Sequence, residues 1–145
     1  MLRPMTMADL DAVCQIEEQC FSVPWSRESM EKELSGNDQA HYLVAEIDGK
    51  VVGYAGFWQV LDEGHIMNIA VLPEMRGRGL GEELMRAMLE QGTQMGIIYW
   101  TLEVRVSNIA AIKLYEKVGF TSAGIRPGYY EKPREDAHIM WYKFE

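Results

Sequence analysis

Apolar and polar positions recur at two periods along this chain, and each change of period marks a boundary between elements. Leu10, Val13, Cys14, Ile16 or Glu17, Cys20 and Phe21 follow helical spacing. Thr6, with Asp9 three residues on, forms a capping-box start for that helix. After the break at "SVPW", Ser26 caps a short second helix through Leu34, which "SGND" ends. The stretches "YLVAEI" and "KVVGYAGFWQV" read as strands, and Asp48-Gly49 between them is a strong hairpin signal. "LDEG" turns the chain into a third strand, "HIMNIAV". A glycine-rich turn then opens a helix to about Met95, with Leu80, Leu84, Met88 and Met95 inward. "IIYWTLEVR" suits a buried strand, and "NIAAIKLYEKV" a helix closed by Gly119. "FTSAGIRPGYY" and "DAHIMWYKF" form a hairpin around "EKPRE". With "LRPM" as a short first strand, the order is β-α-α-β-β-β-α-β-α-β-β. This predicts one α/β domain over 1–145, with a single mixed, largely antiparallel sheet flanked by helices and one helix-bearing crossover.

The glycine-rich turn, "RGRGLG" at 76–81, is the part of the chain whose chemistry needs explaining. A P-loop is excluded, because Gly81 is followed by Glu82 and Glu83 where Lys-Ser/Thr is required. A dinucleotide fingerprint needs a further glycine at position 84, which is Leu, although Glu103 lies roughly where a ribose-binding acid belongs. A tight strand-to-helix turn accounts for the glycines but not for Arg76 and Arg78. A strand, bare amides and a helix N-terminus together make an anion site, to which arginines add charge-assisted bonds. The pyrophosphate of coenzyme A fits it.

Composition narrows the partners. With 22 Asp+Glu against 14 Lys+Arg, the net charge of −8 argues against nucleic acid and suits either a basic partner or plain solubility. Neither a secretory leader nor an apolar run of bilayer-spanning length is legible. The two cysteines, Cys14 and Cys20, therefore read as reduced thiols of a cytoplasmic protein. The three histidines (His41, His65, His138) lack ligand spacing, so no metal is expected. Along "TLEVR", Glu103 shares a face with Thr101 and Arg105 on a strand that otherwise reads as core. It is either a catalytic or a paired structural carboxylate. Tyr115 lies on a helix face with Ala111, Leu114 and Val118, which by spacing alone suits core packing.

The chain resembles the GCN5-related N-acetyltransferase (GNAT) family, on the match of "NIAVLPEMRGRGLGEELM" to its acetyl-CoA signature. More narrowly, "VPWS", "TLEVRVSNIAAIKLYEKVGF" and "RPGYYEKPREDAHIM" resemble the bacterial RimI-type ribosomal-protein alanine N-acetyltransferases. The resemblance implies a sheet that splays open after the "NIAV" strand, so that pantetheine pairs with backbone at Ile69, Ala70 and Val71. It places pyrophosphate on Arg76, Gly77, Arg78, Gly79, Leu80 and Gly81, the coenzyme arm on Asn108, and a thioester-oxygen donor at the Val71 N–H. Asn108 is equally well placed as a plain helix N-cap. The resemblance assigns Glu103 as general base, acting directly or through water, and Tyr115 as general acid. Trp25, Tyr129 and Tyr130 would wall a slot for a short peptide N-terminus, although hairpin packing explains the tyrosines as well. Glu18, Glu131, Glu135 and Asp136 would draw in a basic chain. The implied reaction is acetylation of the N-terminal alanine of the eighteenth small-subunit ribosomal protein by acetyl-CoA, without metal, in a monomeric enzyme. A broader N-terminal or lysine acetyltransferase and an inactive acetyl-CoA-binding module are the alternatives.

Overall fold

A computed structural model describes residues 1–144. Its elements are β1 (Leu2–Pro4), α1 (Leu10–Cys20), α2 (Arg27–Gly36), β2 (Ala40–Ile47), β3 (Lys50–Val60), β4 (Glu63–Val71), α3 (Leu80–Gln94), β5 (Tyr99–Arg105), α4 (Ile109–Lys117), β6 (Thr121–Tyr130) and β7 (Glu135–Lys143). The seven strands form one sheet in the order β1-β2-β3-β4-β5-β7-β6. All neighbours are antiparallel except β4 and β5, which the crossover through α3 joins in parallel. This is the expected α/β architecture, with β7 inserted between β5 and β6.

The helical stripes bury much as their spacing requires. Leu10, Val13, Ile16 and Glu17 of α1 are buried, as are Leu80, Leu84, Met85 and Met88 of α3. Phe21 departs from the expected stripe and is 37% exposed. The helix ends at Cys20, and the extended backbone at Phe21 (φ −129°, ψ 141°) swings its side chain off the helical face. The start of α1 also differs in detail, because Met7–Asp9 forms a 3-10 turn ahead of it. There Asp9 accepts hydrogen bonds from the Thr6 N–H (2.8 Å) and from Arg3 (2.8 Å to each oxygen). Arg3 chiefly holds the Asp9 carboxyl down at about 2. Its contribution to stability is therefore complete above the unfolded value of about 3.9 and is lost as pH falls through the folded one. Asp9→Asn is expected to flatten the acid limb of denaturant stability between about pH 4 and 2.

The β4–β5 junction sets up the site. These strands pair only at Glu63↔Tyr99, Gly64↔Trp100 and His65↔Thr101, and then separate. The splay therefore begins inside β4, ahead of "NIAV", not after it as the resemblance implied. An irregularity opposite Gly56/Phe57 helps β4 bend away, as bulges do. Beneath the junction sits the Trp100 indole, fully buried and edge-on to Phe57 at 5.0 Å. Gly64 and Gly92 make room for it: a Cβ at either would lie 2.7 or 2.2 Å from the ring.

Candidate active site

The cleft between β4 and β5 is lined first by backbone. Leu72 N–H donates to Val52 O at 2.9 Å, which makes that a hydrogen-bonded pair of the ladder. Antiparallel alternation then turns the N–H and C=O groups of Ile69 and Val71 away from β3, toward the side that β5 has left. Ala70 faces β3 instead. The Val71 carbonyl is already held by Arg76 Nε (3.1 Å) and Cys20 Sγ (3.4 Å). The Ile69 groups and the Val71 N–H remain for an extended ligand.

The "RGRGLG" turn lies at the far end of this edge. Gly77 and Gly79 both have φ near +81°, a region side chains rarely adopt, and Gly79 is the N-cap of α3. The first amides of a 15-residue helix therefore face outward with the positive end of its dipole. Leu80 contributes backbone only, since its side chain is buried. The two arginines part company. Arg76 folds back onto Val71 and Cys20, whereas exposed Arg78 has no ion-pair partner among the described residues. Arg78→Glu is expected to weaken acetyl-CoA binding about 10-fold or more, because a charge-assisted contact becomes a repulsion. Calorimetry on the folded variant measures this. Asn108 is the N-cap of α4 and accepts from the Ala111 N–H at 3.2 Å, so its capping role is realised.

Glu103 lies on the face of β5 opposite buried Trp100, Leu102 and Val104, with its side chain 15% exposed. Its Oε2 contacts His65 Nε2 at 2.7 Å, and its Oε1 lies 3.9 Å from Arg126. The His65 hydrogen bond holds the Glu103 carboxyl below its ordinary value, outweighing the opposing effect of burial. Burial alone would make Glu103 a stronger base, and its partners move its basicity the other way. Tyr115 is buried, packs against Phe120 at 6.1 Å, and has its hydroxyl pushed up, mainly by burial and then by Tyr130. Full proton donation to a thiolate is thus harder for it than for a free tyrosine; a hydrogen bond to sulfur is what it can offer.

Tyr129 and Tyr130 meet edge-to-face at 5.0 Å. Arg126 lies 5.2 Å over the first ring and Arg105 4.4 Å over the second. Burial pushes Tyr130 up to about 12, with Tyr129 and then Glu103 adding to it. Tyr130 therefore sits within electrostatic reach of both Glu103 and Tyr115. Glu135, expected to meet substrate, is instead tied inward: it accepts from the Ser107 N–H (2.7 Å) and from Arg105 (3.2 Å). Asp136 likewise accepts from Gly128 N–H at 2.9 Å.

Two residues that the sequence did not single out complete the site. His65 is one. The other is Glu17, which is 1% exposed. It accepts from the Tyr54 hydroxyl and from the Trp25 N–H (2.8 Å), while Asn68 donates to the same tyrosine at 3.1 Å. This chain of bonds ties the "VPWS" loop, with half-buried Trp25, to the splayed segment of β4. A carboxylate on an apolar stripe was the available signal for it.

A splayed strand edge, an amide-lined helix entry and an acid beside the splay thus border one cleft. The model described as "Acetyltransferase (GNAT) family" matches residues 10–120. The chain belongs to the GNAT acetyltransferase family. A Bacillus subtilis (strain 168) protein, provisionally named a [ribosomal protein bS18]-alanine N-acetyltransferase, is 46% identical over 140 residues, covering 97% of this chain and 93% of the relative. The Salmonella typhimurium enzyme of that name is 40% identical over 140 residues, covering 94% and 92%. The crystal structure of the ribosomal-protein-S18-alanine N-acetyltransferase from Escherichia coli superposes with a TM-score of 0.91 at 34% identity, covering 99% of this chain and 92% of that one. As a GNAT acyltransferase the protein takes its acetyl group from acetyl-CoA. The described residues include no cluster of metal-ligating side chains, and none of their helices is long and apolar enough to cross a membrane.

Proposed function

We propose that this enzyme acetylates the α-amino group of an N-terminal alanine, with the bacterial ribosomal protein bS18 as its substrate in the cytoplasm. The observation that carries the reading is its similarity, over nearly the whole chain, to enzymes named for that reaction. The site's chemistry agrees. An α-ammonium has a pKa of about 7.8 and a lysine about 10.4, so the lysine is handicapped by about 3.5 kcal/mol at pH 7. A base whose carboxyl is held low suits the easier proton.

In this reading, acetyl-CoA lies along Ile69 and Val71, its pyrophosphate on the amides from Gly77 to Gly81 and on Arg78. The Val71 N–H polarises the thioester oxygen. Trp25, Tyr129 and Tyr130 border the peptide, Glu103 serves the amine, and Tyr115 hydrogen-bonds the departing sulfur. With Glu135 and Asp136 bound internally, Glu18 and Glu131 are the acids left to attract basic residues after the alanine. Rates with an alanine-starting peptide and with a blocked-terminus lysine peptide test the proposal. Preference for the lysine peptide would overturn it, and absence of thiol release with either would leave only a binding module.

A further inference from the structure

Arg105 commits its guanidinium to one loop. The side chain follows Glu103 by two positions on the same face of β5 and is 23% exposed. Its Nη1 donates to the Pro133 carbonyl (2.9 Å) and to Glu135 Oε1 (3.2 Å), and its Nη2 donates to the Glu131 carbonyl (3.2 Å). Its Cζ also lies 4.4 Å from the centre of the Tyr130 ring. Residues 131–134 belong to neither β6 nor β7, so two carbonyls of the connecting loop and the first side chain after it converge on one cation. A planar guanidinium can do this, because its edge carries several donors while its face stacks on a ring. A lysine ammonium has no such plane.

Building on the peptide slot proposed above, we infer that Arg105 is the positioning residue of that slot. It sets the plane of the Tyr130 ring and the course of the 131–135 loop, and it touches no reacting atom. Tyr130 meets Tyr129 edge-to-face at 5.0 Å, so a shift of one ring passes to the other. Because Arg105 and Glu103 stand on one strand, the tyrosine wall is held in register with the carboxylate that serves the amine. The coenzyme side of the cleft is built from β4 and the start of α3, which none of these contacts reaches. Loss of the guanidinium leaves Glu135 bonded to the Ser107 N–H at 2.7 Å, so the hairpin stays attached while its loop and ring are released. The effect should therefore fall on the peptide and spare the coenzyme.

The test is kcat and KM for an alanine-starting peptide in the wild type, Arg105→Met, Arg105→Lys, Tyr130→Leu and the Arg105→Met/Tyr130→Leu double variant. Melting curves and acetyl-CoA calorimetry accompany each. Arg105→Met is expected to raise peptide KM about 10-fold or more, with kcat within about threefold and acetyl-CoA Kd within about twofold of wild type. Arg105→Lys keeps the charge but loses the fork and the stacking face, so its KM should stay closer to that of Arg105→Met than to wild type. The double variant should exceed the KM of Tyr130→Leu by no more than about threefold, since a residue acting through another does not add to its loss. An unchanged peptide KM in Arg105→Met, a peptide KM and acetyl-CoA Kd that rise together, full rescue by Arg105→Lys, or losses that multiply in the double variant would each overturn the inference. A wild type that binds acetyl-CoA but acetylates no alanine-starting peptide would instead overturn the acetyl-transfer reading on which it rests.

Discussion

Glu103→Gln is expected to lower turnover on an alanine-starting peptide by about 10²–10⁴-fold at pH 7, the range for loss of general-base function. An amide in this place has no basic oxygen with which to accept the amine's proton. The ammonium must then shed its proton to water, so the residual rate should climb with pH across the amine's own titration near 7.8. A pH–rate profile on the purified variant measures both the loss and the slope. Unchanged turnover at pH 7 would make Glu103 a structural carboxylate.

Glu17→Ala carries the largest expected effect on stability, a loss of about 2–4 kcal/mol. It orphans the Trp25 N–H and the Tyr54 hydroxyl, both held by the carboxylate in the interior. For a chain of this size the melting temperature should drop by about 5–15 °C. Burial raises the Glu17 carboxyl, and hydrogen bonds from Tyr54 and Trp25 oppose that rise. A raised acid stabilises the fold most below its unfolded value of about 4.3 and contributes less as pH climbs through the folded one. The gap between wild type and variant should therefore be wider at pH 5 than at pH 8, as denaturant titrations can show. Since the same carboxylate anchors the "VPWS" loop, peptide KM should rise more than acetyl-CoA Kd.

What the sequence disclosed is what a local pattern can carry. The glycines and arginines of 76–81 announce an anion site because backbone conformation and charge are both written into six adjacent residues. Alternation along "TLEVR" places Glu103 on the face away from the core, and the strand bears this out. The partners of these residues are set by pairings that no short window contains. His65 reaches Glu103 only because β4 and β5 run parallel in one register, and Glu17 meets Tyr54 across 37 positions of sequence. The partners of Glu135 were hidden for the same reason: its carboxylate looks free until β7 lies beside Arg105. The true start of the splay was likewise hidden, because "HIMNIAV" reads as one uninterrupted strand.

The junction above Trp100 also makes the cleft a lever. Six residues of β4 beyond His65 reach about 20 Å at 3.3 Å each; carried by their pairing with β3, they meet β5 at a fulcrum only three residue pairs wide. A tilt of about 3° at that fulcrum moves the far tip by about 1 Å, a displacement that can cost 10²-fold in rate. Side chains forced into the space at Gly64 or Gly92, or shaved from Trp100, would act at the short end of the arm. Such changes touch no reactant, yet their mark should fall on kcat through the mechanical advantage of the strand.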